Sequence, residues 1–358
     1  GVPYEDFERA VTIDDAGCVV VIYGSAGGLS ATAVLPDQIW HQDSPDIIDN
    51  VEEDDNFGYA LAAGNFDNDN YDDLAIGAPG ESSSVKDYMG VVHVLYGTTA
   101  GLSAARNQQW EQYDWGGGAQ SENYDLFGAA LAVGDFEGDG YDDLAVGIPN
   151  EDIETPSITI ENAGAVNILF GSGSGLKKDR VQFLYQDGEN IAEDAEEWDH
   201  FGYALAAVNF NGLTEDYLVV GVPDEDLGNP EVMDAGAVHV LTRSWFGGFV
   251  GESSRYFHQG RGSIPDELEG CASFGYSLAP GDFNGDGKED LAIGAPLDNC
   301  NTSDDGSVVV IYEDNWELQN GLSPQRLCQG GVLEDEGEAD DNFGYALVSL
   351  PGSGALPY

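Results

Sequence analysis

Five times along this chain a Phe-Gly pair recurs, at Phe57, Phe127, Phe201, Phe274 and Phe343, with steps of 70, 74, 73 and 69 residues. In the first four repeats an acidic loop and then Gly-x-Pro follow, as in FGYALAAGNFDNDNYDDLAIGAP from Phe57 and FGYSLAPGDFNGDGKEDLAIGAP from Phe274. A fixed period of this length is that of one small β-sheet, so the repeat fixes the architecture before any single residue does.

Within a repeat, FGYALAAG is rich in small residues and suits the innermost strand of a crowded ring. DDLAIG is a short apolar run that reads as a strand covered on both faces, and VVHVLYG at 91–97 is a third strand. Glycine-rich turns such as YGTTAGLS then lead to a fourth strand with an apolar residue near a Gln, as in QQWEQY. Four strands per repeat make a propeller blade. The predicted fold is all-β, a single β-propeller over 1–358 with blades at 57–126, 127–200, 201–273 and 274–342, and a fifth from 343–358 joined to 1–56. In that fifth blade Ser353–Tyr358 is laid against DDLAIG, and Gly1-Val2-Pro3 completes the motif. Closing a ring in this way removes the free edges of an open array.

The loop from Asp282 offers oxygens at Asp282, Asn284, Asp286 and Asp290 and the carbonyl of Lys288, which are positions 1, 3, 5, 9 and 7. A hard cation such as calcium takes six to eight oxygens, and this spacing wraps them around one point. The same frame recurs as Asp135, Glu137, Asp139, the Tyr141 carbonyl and Asp143, and as Asn65, Asp67, Asp69, the Tyr71 carbonyl and Asp73. Gly140 and Gly287 stand at position 6, and Asn70 replaces them in the first frame as a residue that tolerates the left-handed turn. In the third repeat Asn209, Asn211, Leu213, Glu215 and Tyr217 have lost oxygens at positions 5 and 9, so three calcium ions are expected.

Asp and Glu number 67 against 11 Lys and Arg, a formal charge of −56, which excludes nucleic acid and anionic membrane surfaces as natural partners. No run of 18 or more apolar residues appears. Cys271 and Cys300, in two loops on one face of a blade, form the expected disulfide, which implies an oxidising compartment, whereas Cys18 and Cys328 read as buried thiols.

Phe-Gly, the Asp-x-Asp-x-Asp-Gly type loop and Gly-x-Pro together resemble the FG-GAP repeat of the integrin alpha-subunit β-propeller, and the GLS turns look most like secreted bacterial FG-GAP proteins. The resemblance implies extracellular or cell-surface, calcium-stabilised recognition of a protein or glycan, with calcium loops opposite the binding loops. The integrin propeller has seven blades, so five repeats make either a smaller ring or a fragment of a seven-bladed one. Trp115, Tyr124, Trp198 and Trp245 are the candidate ligand contacts, since exposed aromatic rings suit glycan stacking and protein hot spots.

Three function classes follow: a recognition module, a passive spacer between domains, and a hydrolase or lyase acting on glycans. No HExxH, GxSxG or phosphate-cradling loop favours the last. His93 and His239 share one third-strand position, and His41 and His258 one fourth-strand position, which marks them as structural; His200 stands outside that pattern.

Overall fold

The computed structural model describes the chain apart from residues 8–11, 26–27, 30–34, 113–120, 189–190, 211, 213, 229–231, 244–248, 262–263, 266, 301, 313–321, 331–336 and 349–358. No α-helix occurs among the described residues. The chain is an all-β propeller built of antiparallel sheets. Four sheets have four strands each, and we number them I to IV.

Sheet I runs Leu61–Gly64, Asp73–Ala78, Val91–Tyr96 and Ser103–Trp110 in both sequence and space. Sheets II to IV repeat it, starting at Ala130–Gly134, Ala204–Val208 and Ser277–Gly281. Each first strand pairs with the second so that the acidic loop lies at one end, as in Gly64 opposite Asp73, and Gly-x-Pro returns to the other. First strands of successive sheets pack against one another, which is why they are built of Ala, Leu, Val and Gly. Ahead of sheet I, Val19–Val21 pairs with Gln38–Trp40, and Val2 bridges Cys18. Phe343 bridges Gly306 beside sheet IV. The expected pairing of Ser353–Tyr358 lies outside the described residues.

The core is a series of layers between sheets. Between sheets I and II, Val92, Val94 and Trp110 meet Leu144, Val146 and Leu169, and equivalent layers fill the next seams. The Phe of each Phe-Gly sinks into the seam toward the preceding sheet, and Phe57, Phe127, Phe201 and Phe274 are at most 1% exposed. Each is held there by its own N–H, as where Phe127 donates to the Met89 carbonyl at 3.1 Å and Phe201 to that of Ala163 at 2.8 Å.

These contacts explain why Phe-Gly and Gly-x-Pro are spelled as they are. Gly128 donates to the Gly147 carbonyl of its own sheet at 3.1 Å, while its carbonyl oxygen abuts Gly77 of sheet I. A Cβ on Gly77 would stand 2.1 Å from that oxygen, and one on Gly221 the same distance from Gly275. The two motifs are the two sides of one close backbone contact, repeated from Gly1 against Gly58 to Gly294 against Gly344.

Candidate functional site

The acidic loops close on their own backbone. Asp282 Oδ1 accepts the N–H groups of Gly285 and Asp286, at 2.7 and 3.0 Å, and its Oδ2 that of Gly287 at 2.9 Å. Asn284 Oδ1 accepts from Asp286, and Asp286 Oδ1 from Lys288. Asp135 and Asp139 do the same in the second frame, and Asn65, Asp67 and Asp69 in the first. Position 9 is buried in all three: Asp73, Asp143 and Asp290 each accept the N–H of the Phe at position 2, and Asp73 and Asp143 also hold Gly97 and Gly171. Burial pushes the Asp73 carboxyl up to about 6 and that of Asp143 to about 8.

The donor chemistry of these loops, all oxygen with lone pairs to spare, fits a hard cation. The three frames nevertheless differ at position 3. Arg106 donates to Asp67 at 2.9 Å, and Arg180 grips both oxygens of Glu137, which also faces Arg243. Asn284 fills that place in the third frame. One expectation is corrected: Asn70 is not left-handed, and in the first frame the left-handed residue is Asn68 at position 4, with φ of 51°. The second and third frames have glycines at both places, Gly138 and Gly140, Gly285 and Gly287, and all four are left-handed. Asn211 and Leu213 of the third repeat lie outside the described residues.

Position 8, which the sequence pattern did not single out, links one loop to the next. Asp216 Oδ2 accepts the N–H of Asp135 at 2.9 Å and Glu289 Oε2 that of Asn209 at 2.7 Å, each across a seam. Only the regular run of two acids before the second strand hints at it in the sequence.

At the opposite end, Tyr124 and Trp198 occupy the same place, three residues before Phe-Gly, both left-handed and both 54% exposed. Tyr124 stacks on Tyr88 with ring centroids 5.3 Å apart, and Tyr88 donates to Asp54 at 2.8 Å. Trp198 lies edge-on to His200, whose Nδ1 is 2.7 Å from Asp224 Oδ2. Trp115 and Trp245 lie outside the described residues. His93 and His239 are fully buried third-strand residues.

Tyrosines following Phe-Gly gather at this end, and they were missed as contacts because each reads as part of a strand. Tyr276 sits between Tyr203 and Tyr345, at 4.9 Å from each. Burial, and then Tyr4 and Tyr345, raise the hydroxyl of Tyr59, which follows the first Phe-Gly. Tyr59 is 49% exposed and Tyr345 59%.

The expected Cys271–Cys300 bridge is replaced by Cys300–Cys328, with Cα atoms 6.1 Å apart, and the expectation of Cys328 as a free thiol falls with it. The segment before Phe-Gly docks on the preceding sheet: Cys271 N donates to the Met233 carbonyl at 2.8 Å, which carries its thiol toward Asp234. The loop bearing Cys300 instead folds onto the end of the fourth strand of its own sheet, Gln325–Leu327. Cys18 is a buried free thiol, and Cys271 an exposed one.

Comparison with known proteins finds the FG-GAP repeat at residues 57–95, 127–169 and 274–311. Phosphatidylinositol-glycan-specific phospholipase D of Bos taurus is 33% identical over 168 residues, 46% of this chain and 18% of that protein. Integrin alpha-PS2 of Drosophila melanogaster is 28% identical over 223 residues, 62% of this chain and 14% of that one. Integrin alpha-V of Gallus gallus is 29% identical over 225 residues, again 62% of this chain, and 18% of the integrin. The chain therefore spans less than a fifth of the length of these relatives.

Proposed function

We propose that this chain, which carries FG-GAP repeats in an integrin-like β-propeller, is an extracellular or cell-surface recognition module. Three calcium ions brace the acidic loops at one end, and the aromatic end engages a protein ligand. The loops from Asn65, Asp135 and Asp282 hold the ions, and calcium supplies the positive charge that buried Asp73, Asp143 and Asp290 call for. The metal acts on binding only indirectly, by stiffening the hairpins that carry the opposite face.

The observation that carries this reading is the clustering of Tyr203, Tyr276 and Tyr345 on one patch, with exposed Tyr124 and Trp198 at equivalent places before their Phe-Gly pairs. Aromatic rings in a strongly acidic molecule suit a basic side chain, which gains both the ring face and the surrounding negative potential.

The test is binding of the labelled chain to arrays of basic peptides and of glycans, with calcium and with chelator, alongside Tyr276→Ala and Trp198→Ala. Signal on basic peptides that falls in both variants and in chelator supports the proposal. Signal on glycans alone makes the ligand a glycan, and signal on neither array leaves a passive spacer.

A further inference from the structure

Two acids meet in a buried position of each of the first three full repeats. Asp55 and Glu81, 1% and 5% exposed, are within hydrogen-bonding reach, and with Glu52 their carboxylate oxygens lie within 4.8 Å of one another. Gln42, which follows the last strand of the preceding sheet, donates to Glu81 at 2.6 Å. The Gln-to-Glu bond repeats from Gln112 to Glu151 and from Gln186 to Glu225, where the Tyr256 hydroxyl also donates, and Asp125 and Asp199 are the acids that act most strongly on those two glutamates. The Oε1 atoms of all three glutamines and Oδ1 of Asp55 are buried without a hydrogen-bond partner.

The groups facing these pairs are mostly acids. Glu52 and Asp49 face the first, Glu122 and Asp152 the second together with Lys86, and Glu193, Glu196 and Asp226 the third together with His200. Sheet IV solves the same problem differently. Asp298 stands where Glu81 does, Ala272 replaces the second acid, and Arg326 donates to Asp298 at 2.5 Å. There an arginine bonds the acid directly, and only one carboxylate of the pair remains.

We propose that in the first three repeats the balancing charge is a proton: each pair is one carboxylic acid hydrogen-bonded to one carboxylate at neutral pH, and its loss in mild alkali loosens the seam between sheets. Two adjacent carboxylates away from water cannot both ionise cheaply. Burial, and then the neighbouring acids, raise every member: Asp125 and Asp199 to about 7, Glu225 to about 9, and Asp55, Glu81 and Glu151 in the same direction. Because the folded chain holds more protons here than the unfolded one, these pairs stabilise it in acid, and that stability is lost as pH rises through about 7 to 9.

The experiment is infrared spectroscopy of the whole chain in saturating calcium, following the carbonyl stretch of protonated carboxyl groups from pH 6 to 10, with melting curves at each pH. Wild type and the isosteric variants Glu81→Gln, Glu151→Gln and Glu225→Gln are compared, singly and together. Support is a band present at pH 7 and gone by pH 10, reduced by each single variant, with a melting temperature that falls with pH in wild type and stays flatter in the triple variant. No band at pH 7, or a band the variants leave unchanged, overturns the proposal. So does a metal count by elemental analysis that drops by one with each variant, which puts an ion where the proton was placed. The wild-type and single-variant spectra decide the matter even if the triple variant does not fold.

Discussion

Asp142 Oδ2 accepts the backbone N–H of Asn65 at 2.6 Å across the seam between sheets I and II, although 77 residues separate the two. The link is returned, since the Asp142 N–H donates to the Asn65 carbonyl at 3.2 Å. One residue of the second acidic loop thus fixes where the first begins. Neighbouring loops are coupled through the carboxylate at position 8, which points away from the frame it belongs to.

Asp142→Ala removes a charged acceptor and leaves an N–H unpaired, which costs about 1.5 to 3 kcal/mol. Asp142→Asn keeps one acceptor oxygen and loses less. Denaturant melts measure both, and bound calcium stays at the wild-type count in each, because position 8 faces the neighbouring sheet. A fall in calcium count with Asp142→Asn would make the residue a ligand instead.

The three frames differ in affinity for calcium because their position 3 residues have different partners. Arg180 neutralises Glu137, so the second frame is the weakest and the third, with Asn284, the strongest. Arg180→Met takes a positive charge away and tightens the second site about tenfold, since one charge at this distance is worth about 1 to 2 kcal/mol at a near-surface dielectric. Calorimetric titration resolves the change, and in chelator the same variant melts below wild type because buried Glu137 then keeps only the longer contact to Arg243.

Much of the fold was legible because one contact is written twice per repeat. A Cβ on Gly77 would strike the Gly128 carbonyl, and one on the left-handed Gly128 would strike Val92, so both glycines recur in the sequence. The disulfide was not legible. It depends on the segment before Phe-Gly docking on the preceding sheet, which places Cys271 beside Met233 and Asp234, and nothing in the cysteine spacing states that choice. The buried acids were hidden for another reason: Asp55 and Glu81 stand 26 positions apart in a chain with 67 acids, and only folding separates them from the solvated majority. The clustered tyrosines carried a signal in the third letter of Phe-Gly-Tyr, but a strand pattern alone does not say that Tyr203, Tyr276 and Tyr345 of successive repeats meet.

The Cys300–Cys328 bridge closes 28 residues, worth roughly 3 to 4 kcal/mol by loop entropy. Alkylation without reductant labels one thiol in the native chain, Cys271, and two once it is denatured, when Cys18 is exposed; reduction brings all four into reach. Cys300→Ser with Cys328→Ser lowers stability by that amount, whereas Cys271→Ser leaves it unchanged. Rapid labelling of Cys328 in the native, unreduced chain would contradict the pairing.

His239 has both ring nitrogens buried without a hydrogen-bond partner, between Phe201 and Tyr256 at 5.6 and 4.8 Å. Burial, with a smaller push from Arg261, lowers it to about 3, and burial alone lowers His93, at the same register of sheet I, to about 4. Both values lie below the unfolded one near 6.5, so the unfolded chain binds more protons in between, and the stability these residues contribute is lost as pH falls from about 6.5 toward 3 to 4. Each costs about 1.4 kcal/mol per pH unit in that window, or about 2 kcal/mol by pH 5. The acid pairs slope the other way, but they act equally on wild type and on His239→Leu, so the difference between the two chains isolates this residue. That difference moves in favour of the Leu variant by about 2 kcal/mol between pH 7 and pH 5 in denaturant melts. A difference that does not change with pH would mean that His239 takes up its proton without leaving the seam.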